Sequence, residues 1–189
     1  MKKKILIVLG ILVLLAGAFA GVVAMQPAEY QVQRSTTIAA PTAAVFAEVN
    51  DFHKWDAWSP WAKLDPNVKN TYEGASSGKD AVMKWSGNSD VGEGKMTITE
   101  SKPNELIKIN LEFIRPFEDR SNVEFSFKPE GEKTTVSWTM TGKNGFLGKA
   151  MCMFMSMDKM VGGDFEKGLA NLKAAAEGKK TESKPSDGK

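Results

Sequence analysis

A series of short runs with alternating apolar and polar residues, between positions 81 and 140, constrains the fold more than any other feature. The apolar residues recur at every second position in five successive runs: Ala81, Met83 and Trp85; Met96 and Ile98; Ile107, Ile109, Leu111 and Phe113; Val123, Phe125 and Phe127; and Val136, Trp138 and Met140. Polar residues such as Lys108, Asn110 and Glu112 occupy the positions between them. Successive side chains of a strand point to opposite faces of its sheet, so each run predicts a strand with one buried and one wet face. Because turn residues separate the runs, the pattern indicates an antiparallel sheet that is covered on one side only.

A long helix near the C-terminus is the predicted cover of that sheet. The segment Gly148–Ala176 follows the breakers Gly142, Asn144 and Gly145 and is long enough for about eight turns. Its large apolar residues recur at intervals of three and four: Phe154, Met157, Val161, Phe165, Leu169 and Leu172. This spacing gives the single apolar face that a helix lying on a sheet requires.

The segment before the alternating runs predicts one further strand and two short helices. Tyr30–Ala39 is rich in β-branched residues and is predicted to be a strand. A first short helix is predicted from Pro41 to Asn50, and a second helical or turn segment over Phe52–Trp61. A loop-like stretch with the breakers Asp65-Pro66-Asn67 and Gly74–Gly78 follows.

The N-terminal segment predicts a membrane-spanning helix. Lys2-Lys3-Lys4 precedes Ile5–Met25, a run of 21 residues without a charged side chain. As a helix this run is about 31 Å long, which matches a hydrocarbon core of about 30 Å. Two alternatives stay open: a cleaved signal peptide with Ala18-Phe19-Ala20 as its A-x-A site, and a buried core helix. Because lysines stay on the cytoplasmic side, an anchor in the inner (cytoplasmic) membrane leaves the body on the extracytoplasmic, periplasmic side, and a cleaved signal releases it into the periplasm.

The two ends leave residues 26–176 as one predicted domain, which suits a chain of 189 residues. The tail, residues 177–189, has no apolar side chain large enough to pack and is predicted to be disordered. The formal net charge is +2, and the leading and trailing lysines leave the body slightly acidic, which argues against nucleic-acid binding. A single cysteine and a single histidine exclude an internal disulfide framework and a Cys/His zinc site, and no metal or cofactor is predicted.

Two stretches of the sequence resemble a known family. Val32–Trp61, VQRSTTIAAPTAAVFAEVNDFHKWDAWSPW, is similar to the opening of bacterial SRPBCC proteins of the polyketide cyclase/dehydrase-like type, and Phe165–Lys173, FEKGLANLK, is similar to a stretch near their close. The wider START / birch-pollen-allergen superfamily has a helix-grip fold, in which a curved sheet wraps a long C-terminal helix around an apolar cavity. The resemblance covers about Tyr30–Glu177 and implies an α+β helix-grip domain of about seven antiparallel strands, with two short helices after the first strand. The implied roles are lipid or polyketide binding, ligand sensing and occasional catalysis.

The predicted inward positions would form the wall of such a cavity. Eight residues are expected to bind the ligand: Trp85, Phe113, Phe125, Phe127, Trp138, Met140, Met157 and Val161. Large aromatic rings and flexible methionines suit an adaptable apolar site, but the same side chains would also make a solid core. Gly162-Gly163 and Gly168 would make room either for a ligand or for close contact between helix and sheet.

The three tryptophans Trp55, Trp58 and Trp61 recur at a spacing that places them on one face of a short helix. They are expected to form a plug under one end of the sheet. A rim that admits apolar molecules or touches the bilayer, extended by Phe146-Leu147, and a cation–π or sugar-stacking platform are the alternatives.

No catalytic constellation is found in the sequence. His53, near Asp51 and Asp56, is the only imidazole that could pair with a carboxylate, and Cys152 lies in a methionine-rich segment where a thiol usually acts as a small apolar filler. Both are expected to be bystanders. The predicted function is a membrane-tethered, extracytoplasmic domain that binds a hydrophobic small molecule or lipid in an internal cavity. An enzyme of the polyketide cyclase/dehydrase type and an accessory module without a ligand are the alternatives.

Overall fold

The computed structural model describes residues 2–178. Seven antiparallel strands form one curved sheet in the order β1-β7-β6-β5-β4-β3-β2. Their bounds are β1 Glu29–Ile38, β2 Lys69–Gly74, β3 Ala81–Ser86, β4 Glu93–Lys102, β5 Leu106–Arg115, β6 Asp119–Glu130 and β7 Lys133–Lys143. The helices are α1 Lys2–Met25, α2 Thr42–Asn50, a 3₁₀ helix Phe52–Ala57, α3 Phe146–Cys152 and α4 Met157–Ala176. This arrangement confirms the predicted α+β helix-grip fold.

The pairing of the first and last strands sets the two ends of the sheet. β1 pairs with β7 along its whole length, from Glu29 opposite Lys143 to Ile38 opposite Thr134. We call the end where β1 begins and β7 ends the proximal end, because α1 joins the domain there. Since the strands alternate in direction, the β3–β4 and β5–β6 turns also lie at the proximal end. The β4–β5 and β6–β7 turns lie at the opposite, distal end.

One long C-terminal helix was predicted over Gly148–Ala176, and this prediction was wrong in one respect. The structure contains two helices, α3 and α4, separated by residues 153–156. Ser156 starts α4 as its N-cap, with an extended backbone and a side-chain oxygen that accepts from the N–H of Lys159. The break turns Phe154 out to solvent, although it was predicted to lie on the apolar face. Phe165, Leu169 and Leu172 are buried, as that face requires.

The region between the short helices and β3 also differs from the prediction. Lys69–Gly74 was interpreted as part of a loop and is strand β2 at the edge of the sheet. Its residues show no run of large apolar side chains because an edge strand is covered only in part. The predicted segment Phe52–Trp61 contains a 3₁₀ helix, in which side chains three residues apart eclipse one another. Trp55 and Trp58 are both buried, which is the plug arrangement.

Glu177 closes α4 and belongs to the packed body, although the tail was predicted to begin there. Its carboxylate accepts a hydrogen bond from the backbone N–H of Ala39 at 2.8 Å and pairs with Lys173 at 3.4 Å. The predicted disorder of the remaining tail falls on residues 179–189, which lie outside the described residues.

α1 stands apart from the packed body. From Ile5 to Val22 its large apolar side chains are exposed, and Val23 is buried. The helix is long and apolar enough to cross a membrane between Lys3 and Met25, which is consistent with an anchor or a signal sequence. Its exposed side chains exclude a buried core helix.

Candidate ligand cavity

A cavity lies at the proximal end, between the concave face of the sheet and the first half of α4. Its volume is about 360 Å³, which falls within the range of about 300–1,000 Å³ that is usual for small-molecule sites. All seven strands contribute side chains, and the 3₁₀ helix with the loop after it closes the other side. Methionines and aromatic residues are the largest group in the wall, among them Met83, Met96, Trp85, Phe113 and Trp138.

The cavity is confined to one end because α2 and the tryptophans Trp55 and Trp58 fill the distal half of the concave face, whereas the 3₁₀ helix reaches the cavity only at its border. Phe46 of α2 packs edge-on against Phe127, with ring centroids 5.3 Å apart. Trp55 and Trp58 lie edge-on against Phe125, each at 6.0 Å. The distal half of the concave face is therefore solid, and the proximal half lacks an equivalent cover.

Six of the eight predicted ligand-binding residues line this cavity, and two do not. The six are Trp85, Phe113, Trp138, Met140, Met157 and Val161. Phe125 and Phe127 point to the same face of the sheet but lie under the short helices, where they belong to the solid core. The alternation of the strands predicts the inward face correctly, but it carries no information about which part of that face is covered.

Trp138 forms the boundary between the solid and the hollow half. Its ring is stacked between Phe125 at 4.9 Å and Phe165 at 4.1 Å, and Trp61 approaches it edge-on at 5.8 Å. Its indole N–H is buried and is the only buried side-chain donor or acceptor of residues 2–178 without a hydrogen-bond partner in the protein. Buried tryptophan N–H groups usually find an acceptor.

The glycines of α4 serve close packing against the sheet. A Cβ atom at Gly168 would lie 2.7 Å from Cζ3 of Trp138, and one at Gly162 would collide with the guanidinium of Arg34. Gly163 has open space around it. Of the two predicted reasons for these glycines, contact between helix and sheet therefore holds for Gly162 and Gly168.

Tyr30 and Ser121 place a polar pair on the otherwise apolar wall. Their hydroxyl oxygens lie 2.8 Å apart, across β7, and Gly142 makes this possible because a Cβ there would collide with the Tyr30 ring. Burial raises the pKa of the Tyr30 phenol; the hydrogen bond with Ser121 partly offsets this rise, and the negative charge of Asp119 adds to it. At neutral pH the phenol is therefore protonated and able to donate.

The polar lining residues were missed at the sequence level. Ser121 and Asp119 precede Val123 at intervals of two, so extending the alternation of β6 backwards would have placed both on the inward face. Tyr30 stands in the same relation to Val32 on β1. Asp56 and Asp90 also border the cavity, but they are exposed and come from irregular segments that no period predicts.

His53 and Cys152 lie outside the cavity lining. Nδ1 of His53 is 2.9 Å from a carboxylate oxygen of Asp51, and the imidazole stacks on Tyr72 with ring centroids 4.0 Å apart. The Cys152 sulfur accepts a hydrogen bond from the side chain of Asn144 at 3.4 Å. Neither residue has a nucleophile–base partner, and within residues 2–178 no three His, Cys, Asp or Glu side chains are grouped to hold a metal ion.

Comparisons with solved structures agree with this architecture. A di-domain aromatase/cyclase from the steffimycin biosynthetic pathway matches with a TM-score of 0.59 and 12% identity, over 80% of this chain and 51% of that one. The Aha1 dimer from Colwellia psychrerythraea matches with a TM-score of 0.55 and 14% identity, over 78% and 96%. Ara h 8.0201 matches with a TM-score of 0.52 and 13% identity, over 79% and 96%. At such identities the similarity establishes the fold alone.

The sequence itself identifies the family. No curated protein sequence is significantly similar to this chain. The family model described as "Polyketide cyclase / dehydrase and lipid transport" matches residues 29–177, which comprise the whole sheet, α2, the 3₁₀ helix, α3 and α4. This match confirms the SRPBCC resemblance, and the chain belongs to the polyketide cyclase/dehydrase and lipid transport family.

Proposed function

We propose that this protein is a membrane-tethered, extracytoplasmic domain that binds a hydrophobic small molecule or lipid in the proximal cavity. The observation that carries the proposal is an apolar cavity of about 360 Å³ inside an otherwise well-packed domain. A cavity of this size, lined mainly by apolar side chains, lets a ligand bury its own apolar surface away from water.

The lining supports an apolar ligand with few polar groups. Methionines and aromatic rings adapt to hydrocarbon of varied shape. Tyr30 and Ser121 offer one pair of fixed hydroxyl groups for hydrogen bonding. A long apolar body with one or two uncharged oxygen atoms, as in a fatty alcohol or an isoprenoid alcohol, satisfies both kinds of surface and avoids a negative charge beside Asp119.

The tether rests on α1, which is long enough to span a bilayer and exposes its apolar side chains. Its three leading lysines favour a cytoplasmic N-terminus, which puts the domain on the extracytoplasmic side. We expect the intact chain to remain with membranes after a carbonate wash. A soluble chain beginning near Gly21 would instead support a cleaved signal peptide.

An enzyme of the cyclase/dehydrase type is the second candidate, and the polar pair in the cavity is the observation in its favour. Tyr30 is a half-buried titratable group in the wall, with Asp119 nearby. However, its raised pKa leaves the phenol protonated at neutral pH, so it is suited to donate a hydrogen bond and is a poor general base. Binding is therefore the function that this geometry supports best.

A photoreactive long-chain fatty alcohol tests the proposal in membranes that contain the full chain. After illumination, we expect cross-links to inward positions of β5, β6 and β7, located by peptide mass spectrometry. Met140→Trp should reduce this labelling severalfold, because Met140 lines the cavity and the larger ring would occupy it.

The matched control is Thr139→Trp, which adds the same ring to the same strand on the opposite face. It should leave the labelling unchanged. Equal labelling of the wild type and Met140→Trp, or labelling confined to the outer face, would contradict the proposal.

A further inference from the structure

The exposed apolar side chains outside α1 are concentrated at the proximal end of the domain. We call six of them the proximal collar: Ile114 and Phe117 at the β5–β6 turn, and Phe146, Leu147, Met151 and Phe154 in and just after α3. The exposed fraction is 83% for Phe154, 64% for Phe117, 57% for Phe146 and 54% for Leu147. Soluble surfaces rarely leave so many large apolar residues together in water.

The distal end has a different surface. Its turns, Lys102–Glu105 and Pro129–Glu132, are polar and charged. Within residues 2–178, no exposed large apolar side chain lies in either turn. The collar is therefore a property of one end and not of the surface as a whole.

The chain holds the collar close to the end of α1. Only three residues, 26–28, separate α1 from β1, and three residues span at most about 11 Å. Nζ of Lys149 in α3 donates to the carbonyl oxygen of Ala24 in the last turn of α1 at 3.1 Å. The N–H of Asn144, just before α3, donates to the carbonyl oxygen of Ala28 at 2.7 Å.

These restraints determine what lies next to the collar when α1 spans a membrane. The headgroup layer on each side of the hydrocarbon core is about 5–8 Å thick. A linker of at most about 11 Å, together with the hydrogen bond from Lys149 of α3 to Ala24 of α1, keeps the proximal end of the domain against that layer. The segment 145–155, GFLGKAMCMFM, has aromatic rings, methionines and one lysine but no acidic residue, which suits the membrane interface.

We propose that the proximal collar inserts into the extracytoplasmic surface of the bilayer that holds α1, and that the cavity takes its apolar ligand directly from that bilayer. This inference rests on the proposed function in two respects, a retained α1 and a cavity that binds lipid. The collar adjoins the cavity along the chain on two sides. Met157, which lines the cavity, follows Phe154 by three residues, and the lining residue Asp119 follows Phe117 by two.

A lipid-borne quencher tests the insertion without any ligand. In the full chain with Cys152→Ser, Phe154→Cys carries an environment-sensitive fluorophore, and Glu132→Cys in the distal β6–β7 turn is the matched control. The chains are reconstituted into vesicles of phosphatidylcholine and phosphatidylglycerol, and intact mass confirms that α1 is present. We expect a blue-shifted emission and severalfold quenching by nitroxide-labelled lipids at position 154, and neither at position 132.

Two results would overturn the docking proposal. A fluorophore at position 154 that emits as it does in water, like the one at position 132, would show that the collar does not touch the bilayer. A blue-shifted fluorophore that nitroxide lipids do not quench would show that protein covers the collar, such as a second copy of this chain. Phe117→Cys repeats the measurement on the β5–β6 turn and guards against a local effect at position 154.

The uptake route has a separate readout. Phe117→Asp with Phe154→Asp should slow the photoreactive labelling of the cavity severalfold, while the labelling reached after long incubation stays near that of the wild type. An unchanged labelling rate would overturn direct uptake. Labelling of the cavity without insertion of the collar would leave the proposed function intact and contradict the docking proposal. Insertion of the collar without labelling of the wild-type cavity would support docking and contradict the proposed function.

Discussion

The distal half of the concave sheet face is solid and the proximal half encloses a cavity, although both halves carry the same alternation of large apolar residues. Phe125 and Phe127 lie under the 3₁₀ helix and α2 in the distal half. Phe113 and Met140 border open space under α4 in the proximal half. The residues on the sheet are alike, and the difference comes from the short helices that cover only one end. In this chain, therefore, the placement of the helices after β1 decides where the cavity lies.

The surfaces of the two ends also differ, and the end with the cavity is the one with the apolar surface. The hollow end exposes the proximal collar beside α1, whereas the solid end has polar turns. An opening to the bilayer needs both an unfilled interior and an apolar rim, and the two coincide only at the proximal end. This coincidence supports the proposal that the cavity opens toward the bilayer.

The largest expected effect contrasts two phenylalanines on neighbouring strands. Phe125→Ala should cost about 3–5 kcal/mol in free energy of unfolding, because Phe125 is fully buried among Trp55, Trp58 and Trp138. Phe113→Ala should cost less than half as much, because one side of its ring already faces the cavity. Urea unfolding of the full chain in lipid nanodiscs, followed by circular dichroism, measures both values.

Equal losses in these two variants would break the comparison, since they would show that the proximal half is packed as tightly as the distal half. Repeating the unfolding experiment with an added apolar ligand makes the comparison of the two halves more specific. A bound apolar ligand should stabilise the wild type and Phe125→Ala by similar amounts, because Phe125 does not touch the cavity.

The sequence predicts the sheet well because period-two alternation directly reflects a sheet with one buried face. The inward residues of β5, from Ile107 to Phe113, lie on the predicted face, and the first two are fully buried. The break before α4 could not be read from apolar spacing, because Phe154 continues that spacing while Ser156 supplies a competing N-cap. The hydrogen bond of the Ser156 N-cap therefore starts a new helix where the apolar spacing predicts a continuous one.

The site was less predictable than the fold. Which inward residues line a cavity depends on how α2 and the 3₁₀ helix sit on the sheet, and no local pattern encodes that position. The Tyr30–Ser121 pair joins residues 91 positions apart, so it exists only once β1, β7 and β6 are side by side. Residue spacing alone therefore predicts which residues face the inside of the sheet, but not which of them line the cavity.

Two glycines of α4 extend the comparison to the helix, with a smaller expected effect. Gly168→Ala should destabilise the domain by about 1–3 kcal/mol, since its Cβ would lie 2.7 Å from Cζ3 of Trp138 and would disturb the stacking of that ring on Phe165. Gly163→Ala should stabilise it by up to about 1 kcal/mol, since nothing lies near that position and alanine favours the helix. The same urea unfolding experiment compares them.

If the free energy of unfolding falls in Gly168→Ala and rises in Gly163→Ala, α4 is in close contact with the sheet at Gly168 and has free space at Gly163. Destabilisation by both would contradict the open space around Gly163 on the solvent face of α4. The pair is informative because the substitutions are chemically identical and lie five residues apart on one helix.

The smallest expected effect concerns the ion pairs that hold the start of α4 over the hollow half. Arg34 of β1 donates to Asp158 at 2.7 Å and to Glu166 at 2.7 Å. The hydrogen bond from Arg34 holds the pKa of the Asp158 carboxyl below its usual value. Because this pKa is lowered in the folded state, the stabilisation is complete above the unfolded value of about 3.9 and is lost as the pH falls through the folded value.

A carboxyl titration by NMR measures this pKa directly, and Arg34→Met should bring it back up to its ordinary value. In the wild type, amide protection in the first turns of α4 should decrease below about pH 4 relative to the last turns, which are held by buried Leu169 and Leu172. In Arg34→Met this acid-dependent decrease should disappear, because the pair is already absent. A decrease of equal size in both proteins would mean that α4 is held over the cavity by apolar contacts alone. The ion pairs of Arg34 would then not be needed to hold α4 over the cavity.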